Sequence, residues 1–186
     1  MMAFRRNKTP SVRELEKLLC VRRGTNQELN EVQPGVYIGD IQAARNKRLL
    51  QSLNITHVLN AAHGTFNYSF ITGEAFYQDV NISYCGVPAS DIPSFNISKY
   101  FSTAADFIHT ALSQAGGKVL VHCAMGLSRS ATLVLAYLMI QQNMSLVQAI
   151  TAVSEHRNIS PNPGFLEQLR GLDKHLTRQR AAAAHT

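Results

Sequence analysis

Residues 119–130 read Val119-Leu120-Val121-His122-Cys123-Ala124-Met125-Gly126-Leu127-Ser128-Arg129-Ser130. An apolar run ends at Cys123, and Arg129 opens a second, longer apolar segment. This order predicts a buried strand, a tight loop and the first turn of a helix. Such a loop can aim several backbone N–H groups at one point, and the helix N-terminus adds partial positive charge. The stretch therefore predicts an anion-binding loop with a cysteine at its floor.

The side chains of this loop match what the hydrolysis of a phosphate ester requires. The planar guanidinium of Arg129 can grip two oxygens of the anion. A free thiol has a pKa near ~8.5, but a helix N-terminus and nearby cations lower it to about 3.5–7.5, so Cys123 can attack as a thiolate. The attack would form a cysteinyl-phosphate, and Ser130 could donate a hydrogen bond to the thiolate when water cleaves it. We expect the phosphate cradle to consist of Arg129 and the backbone of Ala124, Met125, Gly126, Leu127 and Ser128.

Taken alone, a cysteine six positions before an arginine also occurs by chance, and a lone cysteine is usually a buried structural residue. A phosphatase is favoured because four further features occur together: the preceding strand, Gly126 in the loop, Ser130 after the arginine, and the helix that follows. His122 is interpreted as a neutral group that fixes the loop rather than as a proton shuttle.

The leaving oxygen needs a proton, and Asp91 is the candidate donor. It lies in the segment Pro88-Ala89-Ser90-Asp91-Ile92-Pro93, whose prolines forbid continued sheet or helix. The segment follows a predicted strand, so Asp91 can reach the edge of the sheet at which Cys123 lies. From the residues alone, a general acid and an ordinary turn residue remain open.

Strand patterns alternate with helix patterns along the whole chain. Strands are expected at 36–40, 57–62, within 75–87 and at 118–121, with helices at 41–53, around 101–112, at 130–142, at 145–157 and after 165. The pattern predicts an α/β fold with a central, mostly parallel sheet flanked by helices. We expect an N-terminal arm and short helix over 1–30, one catalytic domain over 31–177 and a disordered tail over 178–186. Phe66, Tyr68 and Phe70, in the predicted loop 63–72, line the rim of a cleft or belong to a plain surface loop.

Composition leaves the partner open. The 186 residues, 45% of them hydrophobic, suit one domain, and the net charge of +6 favours anionic partners such as nucleic acid, acidic membranes or phosphoproteins. Three cysteines are too few and too scattered for a disulfide framework or a zinc site. With no run of 18 apolar residues and no signal-peptide pattern, we expect a cytoplasmic protein that also reaches the nucleus.

The motif His122-Cys123-x-x-Gly126-x-Ser128-Arg129-Ser130 resembles the active-site loop of cysteine-dependent protein phosphatases. The apolar continuation over 131–139 is similar to the dual-specificity branch. The resemblance extends from about Val36 to Leu176, and it includes Asn60-Ala61-Ala62-His63 and Pro161-Asn162-x-Gly164-Phe165. It is strongest to the small atypical members, notably the testis and skeletal-muscle dual-specificity phosphatases.

The resemblance implies the cysteine-phosphatase fold and the hydrolysis of phosphotyrosine and phosphoserine/threonine in proteins, without metal or other cofactor. It implies that Asp91 is the general acid and that Asn162 supports the site. Arg157 resembles a position that helps to bind a second phosphate; a charge that answers the helix dipole is the alternative. The expected partners are phosphoproteins, mitogen-activated protein kinases among them, and neither nucleic acid nor membrane. We expect a monomer or weak homodimer.

Three features limit the resemblance. The chain has no Trp and so lacks the Trp-Pro-Asp loop of tyrosine-only phosphatases. No docking domain precedes the catalytic region, and the loop residues Ala124, Met125 and Leu127 are uncharged. The uncharged loop disfavours a phosphatase for RNA or inositol phosphates. The chain carries all three groups that hydrolysis needs, namely the nucleophile, the phosphate cradle and the proton donor, and this disfavours a scaffold that only binds phosphoproteins.

Cys85 is either a thiol that resolves an oxidised Cys123 or a buried strand residue.

Overall fold

The structure, a computed structural model, describes residues 9–21, 23–64 and 72–184. Its strands are β1 (Leu29–Gln33), β2 (Val36–Gly39), β3 (His57–Asn60), β4 (Ser83–Gly86) and β5 (Val119–His122). Its α-helices are α1 (Val12–Leu19), α2 (Ile41–Arg45), α3 (Lys47–Ser52), α4 (Glu74–Tyr77), α5 (Phe101–Ser113), α6 (Arg129–Gln141), α7 (Leu146–Ser154) and α8 (Pro163–Ala183). Short 3-10 helices span Gln78–Val80 and Ser98–Tyr100.

The five strands form one sheet in the order β1-β2-β5-β3-β4. Only the edge pair β1–β2 is antiparallel; β2, β5, β3 and β4 run parallel. Their last residues stand level, because His122 pairs with Gly39 on one side and with Asn60 on the other, and Asn60 pairs with Gly86. The chain therefore leaves four neighbouring strands at the same edge of the sheet. The expected fold class is confirmed.

Helices cover both faces of the sheet, which explains why β5 is apolar at every position before His122. Val119 and Val121 pack into the core beneath α5, α6, α7 and α8, while Leu120 packs into the core beneath α2, α3 and α4. Successive side chains of a strand point to opposite faces, so a strand covered on both sides is continuously apolar. α6 is buried from Arg129 through Met139, as its apolar sequence predicts.

The N-terminal helix belongs to the domain. α1 begins with a capping box, in which the side chains of Ser11 and Glu14 each accept a hydrogen bond from the backbone N–H of the other residue. Leu15 is fully buried in the core that α7 and α8 also line. The domain boundary expected at residue 31 therefore cuts off a packed helix, and it also lies inside β1.

Several expected elements differ from the structure. The first strand is expected at 36–40, yet the structure has β1 before it, at Leu29–Gln33. The helix expected over 41–53 is two helices, because the Asn46 side chain caps α3. Within 75–87 only the last residues form a strand, since α4 and a 3-10 helix precede it. The disordered tail is wrong for residues 178–183, which continue α8; Arg180 there donates a hydrogen bond to the Met139 carbonyl at 2.5 Å.

The aromatic residues Phe66, Tyr68 and Phe70 lie outside the described residues. Among the residues that the structure does describe, no helix is both long enough and apolar enough to cross a membrane.

Candidate active site

The loop predicted from the sequence lies at the edge where the parallel strands end. β5 ends at His122, Cys123 follows at 2% exposure, and α6 begins at Arg129. The N-terminus of this 13-residue helix therefore faces the cysteine. Its free N–H groups and dipole favour a negative charge there, whether a thiolate or a bound phosphate.

The sulfur of Cys123 is held by two groups of the loop. The Gly126 N–H donates to Sγ at 3.2 Å, and Ser130 Oγ lies 3.3 Å from it. Burial disfavours the thiolate, yet the pKa of Cys123 lies below its ordinary value, because the hydrogen bonds from Ser130 and Gly126 and the positive charge of Arg129 outweigh burial. The structure thus gives Cys123 the electrostatics of a nucleophilic thiolate.

Gly126 is the residue that lets the loop fold back on itself. Its φ is +67°, in the left-handed region, and a Cβ at this position would lie 2.4 Å from the Gly39 carbonyl oxygen and 2.7 Å from the Arg157 guanidinium. No other residue type fits this turn without displacing β2 or Arg157.

Asp91 lies at the mouth of the loop, as the sequence predicts. Its Oδ1 accepts hydrogen bonds from Ser128 Oγ at 2.7 Å and from Asn162 Nδ2 at 2.9 Å, while its Oδ2 lies 4.0 Å from Arg129 Nε. The carboxyl is 37% exposed, so solvent and substrate can reach it. Because both hydrogen bonds go to Oδ1, Oδ2 is the oxygen on which a transferable proton can reside.

Arg129 and Asn162 connect the loop to the acid segment. Arg129 is 9% exposed and donates from Nη1 to the Ala89 carbonyl at 3.1 Å. Asn162 caps α8 through its Oδ1, which leaves its Nδ2 for Asp91. The Asn162 N–H also donates to Ser128 Oγ at 3.2 Å, so a continuous chain of hydrogen bonds runs from α8 to the acid.

His122 is fully buried beside the nucleophile. Its Nδ1 lies 3.3 Å from the Cys123 carbonyl oxygen, and burial lowers the pKa of His122 to about 4. The ring is therefore neutral at pH 7, in agreement with a residue that fixes the loop.

The second-phosphate interpretation of Arg157 is wrong. Arg157 is 1% exposed, and its guanidinium donates to the Met125 and Gly126 carbonyls, the Gln27 carbonyl and Asn30 Oδ1. A buried guanidinium occupied in this way has no surface to offer a phosphate. The sequence carried no signal for these partners, because Gln27 and Asn30 lie far from Arg157 along the chain.

Cys85 does not reach Cys123 in this fold. Cys85 pairs with Leu59, and Leu59 pairs with Val121, so a whole strand separates the two cysteine-bearing strands. Neighbouring strands are about 4.8 Å apart, which sets the two backbones roughly 9–10 Å apart across the sheet. A disulfide needs Cα atoms within about 4.4–6.8 Å. Burial moreover raises the pKa of the Cys85 thiol.

The described part of the chain contains no group of three or more His, Cys, Asp or Glu side chains that could hold a metal ion.

The chain is similar to known proteins over most of its length. A sequence model described as the dual specificity phosphatase catalytic domain matches residues 36–175. The chain is 54% identical over 166 residues to dual specificity protein phosphatase 26 of Homo sapiens, covering 89% of this chain and 77% of that protein. It is 52% identical over 171 residues to dual specificity protein phosphatase 13B of Homo sapiens, covering 91% of this chain and 85% of that protein. The crystal structure of human DUSP28 matches with a TM-score of 0.72 at 28% identity, covering 82% of this chain and 97% of that one.

Proposed function

The chain belongs to the dual-specificity protein phosphatases, and we propose that its reaction proceeds through a cysteinyl-phosphate on Cys123. As a member of this family it is a hydrolase that removes phosphate from phosphotyrosine and from phosphoserine or phosphothreonine in proteins. The observation that carries the residue assignment is the sulfur of Cys123, held by the Gly126 N–H and by Ser130 at the N-terminus of α6. Asp91 stands at the mouth of the same loop.

In the first step the phosphate occupies the space above Cys123, within reach of the loop N–H groups and the Arg129 guanidinium. The Cys123 thiolate attacks phosphorus, the P–S bond forms and the P–O bond to the substrate breaks. The leaving oxygen takes the proton from Asp91 Oδ2, which becomes a carboxylate. Negative charge that builds up on the transferring group is met by N–H dipoles already in place, so little reorganisation is needed.

In the second step water attacks phosphorus on the face opposite sulfur. The Asp91 carboxylate takes a proton from this water, the P–S bond breaks, and inorganic phosphate leaves. The departing thiolate is stabilised by Ser130 Oγ and by the Gly126 N–H, the same two groups that hold the sulfur before substrate binds. Asp91 thus ends the cycle protonated, and Cys123 ends it as a thiolate.

The residue assignment is tested by Cys123→Ser, with Cys85→Ser as the matched control. Cys85 lies in β4, away from the loop. We expect Cys123→Ser to lose hydrolysis of an aryl phosphate while it still binds a phosphopeptide, and Cys85→Ser to keep both. Turnover by purified Cys123→Ser would refute the assignment. Wild-type protein that binds phosphopeptide firmly without any turnover would favour a binding scaffold instead.

We propose a narrower range of substrates for this chain than for the family as a whole. The loop residues that face outward are uncharged, and Met125 among them is 68% exposed, which supports phosphoproteins over polyphosphorylated lipids or RNA. Mitogen-activated protein kinases are the proposed substrates, on the strength of the sequence resemblance alone. Dephosphorylation of a doubly phosphorylated kinase, compared with an inositol phosphate and a triphosphorylated RNA, tests both points. A higher kcat/KM on either of the last two would overturn the proposal.

We also propose that the chain acts in the cytoplasm and nucleus as a monomer or weak homodimer. The three cysteines are free thiols, which supports a reducing compartment. Imaging of a tagged chain and analytical ultracentrifugation test these two statements; a tight oligomer or a membrane compartment would contradict them.

A further inference from the structure

Arg157 lies behind the phosphate loop, on the side away from substrate. It donates from Nε to the Gly126 carbonyl at 2.8 Å and from Nη2 to the Met125 carbonyl at 3.2 Å. These are the carbonyls of two consecutive peptide units at the centre of the loop. The residue that was expected to bind a phosphate directly instead binds the backbone that binds the phosphate.

The planarity of the peptide bond gives these contacts a consequence on the other side of the loop. In a trans peptide the C=O and N–H groups point in opposite directions. Met125 and Gly126 share one peptide unit. Arg157 holds the carbonyl of this unit, at Met125, and the N–H of the same unit, at Gly126, donates to Cys123 Sγ. By the same geometry, holding the Gly126 carbonyl outward turns the Leu127 N–H inward.

The flanking peptide units of the loop are held from outside as well. The Ala124 carbonyl accepts from the Ile41 N–H at 3.2 Å, and the Leu127 carbonyl accepts from the Ser160 N–H at 2.8 Å. Backbone donors of the fold therefore fix the first and last units, while a side chain fixes the two between them. Arg157 is the only side chain with hydrogen bonds to these carbonyls among the described contacts.

Arg157 is itself held by β1 and by the residues just before it. Its Nη1 donates to the Gln27 carbonyl at 2.8 Å and to Asn30 Oδ1 at 2.6 Å. Thr25 forms a bridge with Arg157 through the backbone. A Cβ on Gly24 would lie 2.4 Å from the backbone nitrogen of Arg157, so the chain around Gly24 lies directly against the backbone of this residue. We call Arg157, Gln27 and Asn30 the brace.

The environment of the guanidinium agrees with a role toward the backbone rather than in an ion pair. None of the ion pairs among the described residues includes Arg157. A buried charge is tolerated when its donors are hydrogen-bonded, and four acceptors meet that need here. Burial lowers the pKa of Arg157, whereas the Asp40 carboxylate and the Cys123 thiolate raise it, so its positive charge also favours the thiolate.

We propose that Arg157 is a positioning residue of the phosphatase reaction: it aims the loop N–H groups at Cys123 and at the substrate phosphate, and Gln27 and Asn30 hold it in that pose. The inference rests on the proposed function of the loop. It makes β1 and the residues just before it a support of the catalytic loop, where the sequence predicted an N-terminal arm and short helix over 1–30.

The test compares Arg157→Lys and Asn30→Ala with the control Arg170→Lys. Arg170 is a partly buried arginine on α8 that bonds to Glu167 and, at 2.5 Å, to the Pro10 carbonyl, away from the loop. Lysine keeps the charge but cannot hold two carbonyls with a planar fork. Three quantities are measured: the pH midpoint of Cys123 alkylation by iodoacetamide, followed on the Cys123 peptide by mass spectrometry; inhibition by inorganic phosphate; and kcat and KM on an aryl phosphate.

We expect Arg157→Lys to raise the alkylation midpoint by about one pH unit, the size of one hydrogen bond to a charged group. Its kcat should fall about 100-fold, as for a small misplacement of catalytic groups, and phosphate should inhibit it more weakly. Asn30→Ala should shift all three quantities in the same direction by a smaller amount. Arg170→Lys should leave all three at wild-type values, whatever it does to the melting temperature.

A lowered melting temperature in Arg157→Lys with an unchanged alkylation midpoint and unchanged inhibition by phosphate would overturn the proposal, since it would mark a purely structural residue. If Arg157→Lys fails to fold, Asn30→Ala decides: wild-type values in all three measurements refute the brace. Wild-type protein without turnover would count against the proposed function, yet the alkylation midpoint and phosphate binding would still test the brace.

Discussion

The two halves of the active site are built in different ways. On the nucleophile side Cys123 is 2% exposed, and the carbonyls of the loop around it accept hydrogen bonds from the Ile41 N–H of α2, from the Ser160 N–H and from the buried Arg157 side chain. On the acid side Asp91 is 37% exposed and is held by the side chains of Ser128 and Asn162.

The difference follows from what each half has to do. Dipoles that stabilise a thiolate and a phosphate act best when they are already oriented, so the nucleophile half gains from rigidity. A group that gives up and regains a proton must meet substrate and water, so the acid half gains from exposure and exchangeable contacts. Substitutions in the two halves should therefore differ in size and in their dependence on the leaving group.

Gly126→Ala should have the largest effect, because it breaks the rigid half. A Cβ at φ +67° and 2.4 Å from the Gly39 carbonyl oxygen displaces the loop, and with it the N–H that bonds to Cys123. We expect kcat/KM to fall about 10³-fold, equally for aryl and alkyl leaving groups. Gly171→Ala in α8 is the control: its Cβ meets nothing within 4 Å, so its rate should match wild type. A fall that depends on the leaving group would contradict this division of roles.

Asp91→Asn tests the acid half directly. The amide keeps the shape of the carboxyl but cannot give a proton, so kcat on phosphothreonine should fall about 10²-fold. An aryl leaving group of low pKa needs little protonation and should lose much less. Steady-state rates on phosphothreonine and p-nitrophenyl phosphate measure the contrast, and an equal loss on both would show that Asp91 is not the acid.

Asn162 tests how strongly the acid half depends on its side-chain contacts. Asn162→Ala removes both the bond to Asp91 and the N-cap of α8, whereas Asn162→Ser removes the bond to Asp91 and can keep the cap. We expect kcat to fall about tenfold in both, and the free energy of unfolding to drop by about 1 kcal/mol only in the alanine variant. Wild-type kcat in the serine variant would remove Asn162 from the site.

Of these substitutions, His122→Asn should have the smallest effect on the rate near neutral pH. The pKa of His122 is about 4 in the folded chain and close to 6.5 when exposed, so folding favours the neutral ring. The stability that this residue contributes is present above pH 6.5 and is lost as the pH falls toward 4, by at most about 3 kcal/mol. Denaturant unfolding at several pH values should show a shallower loss in His122→Asn. An equal slope in the variant and wild type would show that His122 does not titrate in this way.

The nucleophile half was readable from the sequence because its signals are local. The apolar run before Cys123, Gly126 at the turn and the apolar helix after Arg129 are adjacent, and each has one straightforward structural meaning. To predict that Asp91 lies near Cys123 required one further rule, that the carboxyl ends of parallel strands meet at the same edge of a sheet.

The remaining features depend on contacts between distant segments. Arg157 meets Gln27 and Asn30 across more than a hundred residues, and nothing in the sequence around it distinguishes that role from a charge at a helix end. β1 and α4 are too short for periodicity to show, and the continuation of α8 past residue 178 depends on Arg180 reaching the end of α6. Sequence patterns gave the chemistry, and long-range packing gave the support for it.

The cysteinyl-phosphate itself is the most direct test of the account. Ser130→Ala should slow departure of the thiolate, because Ser130 Oγ lies 3.3 Å from the sulfur, so the intermediate should accumulate. The variant is mixed with a phosphopeptide, quenched in acid within milliseconds and mapped by mass spectrometry. We expect a phosphate on the peptide that contains Cys123, and no phosphate on that peptide in Cys123→Ser. A phosphate on any other residue, or turnover without accumulation in Ser130→Ala, would contradict it.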